Sequence, residues 1–141
     1  MDAKKMGYWT TTGLLAFFLA SGGVMQLARV PANVQGVVQL GYPAYVTTIV
    51  GFWKVLGALA LLWPRWPRLK EWAYAGAFFE LTGAAASHAF SGGAAGHVLL
   101  VGSLSLLVVA SWALRPESRR LGELLPTRTG EGRSPAAALA R

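Results

Sequence analysis

The sequence predicts an all-α integral membrane protein, a bundle of four transmembrane helices, and three observations support this. Of its 141 residues, 54% are hydrophobic and only 13% are charged. The apolar residues form four runs, each about long enough to cross the ~30 Å hydrocarbon core of a bilayer. The charged residues lie mostly between these runs, as they do in polytopic membrane proteins.

Four predicted spans divide the chain into a membrane domain and a tail. The spans cover about residues 7–28, 44–63, 71–90 and 97–114. The membrane domain is therefore residues 1–114. Residues 115–141 are rich in Arg, Glu, Gly and Pro, which predicts a cytoplasmic, largely disordered basic tail.

The two ends of the first span need separate interpretation. A cleaved signal peptide is an alternative for the first run, which has a basic start and small residues at 20–22, but the apolar character continues long enough to span.

Residues 29–43 are too polar to span and too apolar for a free loop. They predict a short interfacial or re-entrant helix that caps the bundle between spans one and two.

The distribution of Lys and Arg predicts the orientation. Two of them lie at the N-terminus, three in the turn at 63–70 and six in the tail, whereas the other two connections carry one and none. Cytoplasmic loops carry the excess of basic residues, so both termini are predicted to be cytoplasmic. The net charge of +7 follows this pattern and does not form one basic face, which argues against nucleic-acid binding.

A lysine and a glutamate lie inside apolar runs, where a lone charge costs ~2.5–3.5 kcal/mol or more. Lys54 precedes the cytoplasmic end of its span by nine residues, and Glu80 follows the cytoplasmic end of the next span by nine. Both therefore lie at the same depth, ~13–14 Å in, and adjacent antiparallel helices would pair them. Such a pair either fixes helix register or handles a proton or ligand at the base of a cavity, and both interpretations stay open.

A second group of polar residues lies toward the outer surface and forms a candidate ligand-binding cluster. Two histidines on neighbouring spans could hydrogen-bond the carbonyls of a quinone-like headgroup. A metal is disfavoured because no third histidine or carboxylate is near. The simplest interpretation is that the histidines are polar interface residues satisfied by water. The candidates are Gln26, Tyr42, Tyr45, His88 and His97.

The sequence contains no motif that is typical of a catalytic site. The chain has no cysteine, which excludes disulfides and covalent thiol intermediates within it. Phosphate-binding glycine loops, nucleophile elbows and zinc-protease histidine pairs are absent from the sequence. No catalytic residue is assigned, and whether the chain is an enzyme stays open.

Several short motifs, in this order and spacing, resemble the DoxX-like family of small bacterial membrane proteins. The likeness covers about Tyr8 to Leu114, and its motifs are Leu40-Gly41-Tyr42-Pro43-Ala44-Tyr45, Gly51-Phe52-Trp53-Lys54-Val55-Leu56-Gly57-Ala58, Pro67-Arg68-Leu69-Lys70-Glu71-Trp72-Ala73-Tyr74-Ala75-Gly76 and Leu81-Thr82-Gly83-Ala84-Ala85-Ala86-Ser87-His88. The resemblance implies a four-helix bundle in the bacterial cytoplasmic (inner) membrane.

The resemblance also implies two rival functions. The first is an accessory membrane subunit of a redox system that binds a quinone or another apolar small molecule and contacts a redox-enzyme partner. The second is a protein-binding membrane protein of the assembly or chaperone type, without small-molecule chemistry. A transporter is weaker, because four spans without repeats or broken helices would require a homo-oligomer.

Overall fold

The computed structural model describes residues 2–121, which form five α-helices and no strand. Of the tail expected at residues 115–141, residues 122–141 lie outside the described residues. The helices are α1 (Ala3–Leu27), α2 (Pro31–Gln39), α3 (Tyr45–Leu62), α4 (Pro67–Phe90) and α5 (Ala95–Ala113), followed by a 3₁₀ turn at Glu117–Arg119.

The four long helices form a closed bundle. Helix α1 packs most extensively on α3, and α4 packs on α5. Contacts of α1 with α5 and of α3 with α4 complete the ring. The buried apolar side chains contributed by these helices form one core, made of Leu15, Leu19, Ala58, Leu61, Tyr74, Ala77, Leu81 and Val108.

Three of the described helices are long and apolar enough to cross a bilayer, namely α1, α3 and α5. These correspond to the first, second and fourth predicted spans. Helix α4 has 24 residues, which is sufficient length, but four charged side chains reduce its apolar character: Arg68, Lys70, Glu71 and Glu80. The structure therefore confirms an all-helical membrane protein, in which three of the described helices qualify as membrane spans by length and composition.

The connector between α1 and α3 is helical. Helix α2 has nine residues, begins with Pro31 at its first position and contributes no buried residue. It packs against α1 and α3. Gly41 ends the segment with φ at +90°, a backbone conformation that residues with a Cβ rarely adopt.

Glycines let α1 and α3 approach closely. A Cβ on Gly23 would lie 2.9 Å from the Gly51 carbonyl oxygen and 2.9 Å from Val55 Cγ2. A Cβ on Gly51 would lie 2.9 Å from the Gly23 carbonyl oxygen. The two backbones are therefore in contact, which is how small residues drive helix association in membranes.

Helix α4 begins four residues before the span predicted from the sequence. Trp66 adopts a left-handed conformation with φ at 79°, and Pro67 takes the first helical position. Proline suits that position because the first N–H of a helix has no intrahelical partner. The Trp66 ring stacks on Trp63, with centroids 5.7 Å apart, which joins the end of α3 to the start of α4.

Candidate functional site

A groove of about 700 Å³ runs between α3 and α4. Its walls are apolar apart from two charged side chains, and four tryptophans contribute to them. The lining residues are Leu19, Val50, Trp53, Lys54, Leu56, Gly57, Leu59, Ala60, Trp63, Trp66, Leu69, Trp72, Ala73, Gly76, Ala77 and Glu80. This volume lies in the range of sites that bind small molecules.

The two charged residues of the groove form an ion pair. Lys54 Nζ lies 3.2 Å from Glu80 Oε1. The side chains are 18% and 28% exposed, so the pair is accessible from the groove. The lysine stem passes the α1 backbone, because a Cβ on Gly23 would lie 3.0 Å from Lys54 Cβ. The pair thus connects α3 with α4 beside the α1–α3 contact.

Three buried oxygens near this region have no hydrogen-bond partner among the described residues. They are Gln26 Oε1, Thr47 Oγ1 and Glu80 Oε2. Gln26 packs beside Gly51, since a Cβ on that glycine would lie 2.9 Å from Gln26 Cβ. Thr47 precedes Gly51 by one helical turn on α3 and is fully buried. Buried polar atoms normally have partners, so these three are exceptions that call for an explanation.

The outer candidate residues form two contacts away from the groove. The Tyr42 and Ser87 hydroxyls share a hydrogen bond of 2.9 Å, and the rings of His88 and His97 lie 4.9 Å apart. Tyr45 is 62% exposed, and Gln26 belongs to the α1–α3 contact instead. None of the five predicted ligand-binding residues lines the groove between α3 and α4.

A polar network at the opposite end of the bundle was not foreseen from the sequence. The Ser111 hydroxyl lies 2.7 Å from the Thr12 hydroxyl and 2.9 Å from the Tyr74 hydroxyl. Ser111 and Thr12 are fully buried. These bonds join α1, α4 and α5. Only the helical spacing of Thr12 with Ala16 and Leu19, which places the three on one face of α1, could have indicated this network.

Arginine and glutamate extend the network to the end of α5. Arg115 donates to Glu71 Oε1 at 2.6 Å, and its guanidinium lies over the Tyr74 ring at 4.9 Å. Trp112 donates its indole N–H to Glu71 Oε2 at 3.0 Å. Arg119 covers the Trp9 ring at 4.6 Å. The first residues after α5 are thus packed on the bundle, although the sequence assigns them to the tail.

Lys70 caps the end of α3 from α4. Its Nζ donates to the carbonyl oxygens of Ala60 at 2.8 Å and Leu61 at 2.7 Å. The last carbonyls of a helix have no intrahelical N–H donor, and the Lys70 ammonium supplies the donors for these two. Burial, with smaller effects from the charges of Arg119 and Arg115, lowers the pKa of Lys70 to about 8. The sequence gives no local signal for this contact, because it places Lys70 in the basic turn before the predicted span.

This arrangement can bind an apolar molecule and hold its polar end. The groove provides aromatic and aliphatic walls, and the ion pair provides an ammonium donor and a carboxylate acceptor. Among residues 2–121, no three His, Cys, Asp or Glu side chains gather in a way that could hold a metal ion. The groove therefore offers binding chemistry through hydrogen bonds and apolar contact.

The sequence matches the model of the DoxX-like family over residues 10–111. Because the match covers most of the chain, the protein belongs to the DoxX-like family of membrane proteins. It is also similar to the uncharacterized protein YdgD of Bacillus subtilis (strain 168), with 35% identity over 75 residues, 53% of this chain. The matched region spans 65% of that relative's length. No solved structure matches this chain significantly.

Proposed function

We propose that this protein is an accessory membrane subunit of a redox system and binds a quinone or another apolar small molecule between α3 and α4. The observation that supports this proposal is the groove of about 700 Å³ with one ion pair, Lys54–Glu80, in an otherwise apolar wall. Small-molecule sites typically combine a mainly apolar lining with a few polar groups that orient the ligand.

The chemistry of a quinone suits this wall. Its ring can pack against the tryptophan side chains, and its tail can follow the aliphatic residues toward the lipid. The Lys54 ammonium has three N–H donors, so it can donate to a headgroup oxygen while it faces Glu80. A redox-enzyme partner would then exchange electrons with the bound molecule. This chain would supply the binding site.

The proposed membrane placement has four spans, with both termini on the cytoplasmic side of the bacterial inner membrane. Contacts along the whole of α4 support its crossing. Near its start Glu71 bonds Trp112 and Arg115 at the end of α5, and near its end Ser87 bonds Tyr42 just before α3. Helix α4 therefore runs beside two helices that are apolar enough to span. On this placement α2 and the pair His88–His97 lie at the outer surface.

The first test uses mass spectrometry to identify small molecules that co-purify with the protein from native membranes. It includes a variant whose new side chain fills the groove. Gly57 lines the groove and a Cβ there meets nothing within 4 Å, so Gly57→Leu should occupy the ligand's volume. Gly102 on α5 is equally open but does not line the groove, and Gly102→Leu is the matched control.

We expect a stoichiometric quinone or similar apolar molecule with the wild type and the control, and its loss from Gly57→Leu. Bulk lipid alone in all three samples would contradict the proposal. That result would instead favour the assembly or chaperone type of function, which cross-linking to a specific neighbour in membranes would then have to demonstrate.

A further inference from the structure

We infer that the protein binds the headgroup of an anionic phospholipid on a surface formed by Lys5, Trp9 and Arg119. This surface lies at the end of the bundle where α1 begins and α5 ends, which we call the basic end. The inference goes beyond the proposed function and is independent of it, because it concerns a different part of the molecule from the groove.

The basic end carries an excess of positive charge. It comprises the start of α1, the α3–α4 turn with the start of α4, and the segment after α5. These segments contain eight basic and three acidic side chains, an excess of five: Lys4, Lys5, Arg65, Arg68, Lys70, Arg115, Arg119 and Arg120 against Asp2, Glu71 and Glu117. Residues 122–141 add three Arg and two Glu, so the charge of the rest of the chain does not offset this excess.

Arg119 is held in place by neutral groups. Its guanidinium covers the Trp9 ring at 4.6 Å, and its Nη1 donates to the Tyr8 hydroxyl and to the Leu61 carbonyl oxygen, both at 3.5 Å. These distances exceed the usual ~2.7–3.2 Å, so both bonds are weak. The two ion pairs among the described residues involve other side chains. The described part of the chain therefore leaves most of the five N–H donors of Arg119 for another acceptor.

Two neighbouring cations are not available in this way. Arg115 is 3% exposed and pairs with Glu71, and Lys70 is 1% exposed and donates to two carbonyls of α3. Arg119, by contrast, is only partly buried. After burial, the positive charge of Arg119 is the next cause that lowers the pKa of Lys70. An anion beside Arg119 would reduce this repulsion and stabilise the basic end.

The position of Arg119 beside Trp9 favours a lipid as the source of the anion. Trp9 is 40% exposed, and Lys5 precedes it by four residues on α1, so the two side chains share a face of the helix. Tryptophans at the ends of membrane helices lie at the level of the headgroups. Arginine binds phosphate oxygens with two parallel N–H bonds, and basic clusters beside a membrane helix attract anionic lipids.

The test compares two lipids on the full-length protein in detergent by native mass spectrometry. The lipids are phosphatidylglycerol, which is anionic, and phosphatidylcholine, which has no net charge, both with palmitoyl and oleoyl chains. We expect the apparent association constant to be about tenfold or more higher for phosphatidylglycerol, because each basic residue near a lipid phosphate contributes about fivefold.

Variants assign this preference to the proposed surface. Arg119→Gln and Lys5→Gln should each lower the association constant for phosphatidylglycerol by about fivefold. Arg29→Gln removes a cation beyond the opposite end of α1, where Arg29 bonds Thr48, and should leave the constant within about twofold. Should Arg119→Gln fail to fold, Lys5→Gln provides the same test, because Lys5 is an exposed residue in the first turn of α1.

Three outcomes would overturn the inference. The first is equal binding of the two lipids by the wild type. The second is a loss in Arg29→Gln as large as in Arg119→Gln and Lys5→Gln, or no loss in the latter two. The third is displacement of phosphatidylglycerol by equimolar glycerol 3-phosphate, which would identify the surface as a site for soluble anions. None of these outcomes bears on the ligand of the groove, so the two proposals fail separately.

Discussion

At the scale of single residues, Lys54 and Glu80 form an ion pair in which each charge is compensated by the other. Lys54→Met would leave the Glu80 carboxylate without its cation in an apolar wall, and we expect a loss of about 1–3 kcal/mol in unfolding free energy. The double variant Lys54→Met/Glu80→Gln removes both charges and should recover most of that loss. Denaturant unfolding in detergent, followed by circular dichroism, measures both.

Ligand binding by the same double variant separates architecture from function. If the pair orients a ligand, the double variant should be stable yet bind it at least tenfold more weakly. A double variant that is stable and binds normally would reduce the pair to a structural role. A double variant as unstable as the single one would contradict the pairing itself.

The depth of these two residues could be calculated from the sequence because helix rise is constant along a span. Their distance and the groove beside them could not, because both depend on how α3 and α4 pack. The same holds for Lys70, which the sequence assigned to a basic turn. A side chain that reaches the carbonyls of another helix depends on tertiary structure, and local patterns do not encode it.

At the scale of helices, the contact of α1 with α3 depends on glycine. Gly23→Ala would bring a Cβ to 2.9 Å from a backbone oxygen on α3, where neither backbone can move independently. We expect a loss of about 1–3 kcal/mol. Gly13→Ala on the same helix meets nothing within 4 Å and should change stability by less than about 1 kcal/mol. Equal unfolding free energies for the two variants would show that the helices are not in close contact.

The junction between α3 and α4 should make stability depend on pH. The lowered pKa of Lys70 means that the folded protein releases this proton near pH 8, whereas the unfolded chain holds it to about pH 10.4. Between these values the unfolded state binds more protons, so stability rises with pH. A neutral lysine still has two N–H donors for the two carbonyls. We expect a gain of about 1–3 kcal/mol from pH 7.5 to 10.

Lys70→Arg is the matched control for this effect, because arginine stays charged throughout this range. Its unfolding free energy should lack the rise contributed by Lys70. Parallel pH profiles for the wild type and Lys70→Arg, measured by denaturant unfolding, would refute the assignment to this residue.

The helices themselves were readable from the sequence to within a few residues. Apolar runs separated by charged residues predicted α1, α3 and α5, and the intermediate polarity of residues 29–43 predicted the short helix α2. The boundaries at the starts of α1 and α4 were the least accurate, because each apolar run begins four residues later than its helix does. Hydropathy marks where a span enters lipid, whereas Pro67 marks where the helix begins.

At the scale of the whole molecule, the crossing of α4 can be tested directly because the chain contains no cysteine. Arg65→Cys and Ser91→Cys place single thiols in the turns before and after α4. A membrane-impermeant maleimide added to intact spheroplasts should label Ser91→Cys, and Arg65→Cys only after permeabilisation. Lys4→Cys should behave like Arg65→Cys. Labelling of both turns from the same side would show that α4 does not cross.

The exposed rim of the groove also determines how a ligand would reach it. Trp53, Leu59 and Trp72 are each more than half exposed, and in a bilayer such apolar surfaces face acyl chains. A ligand would then enter laterally from the bilayer, and occupancy of the groove would depend on the mole fraction of the ligand in the membrane. The apparent affinity for the ligand should accordingly weaken as more lipid is added per protein, even when the total amount of ligand in the sample is unchanged.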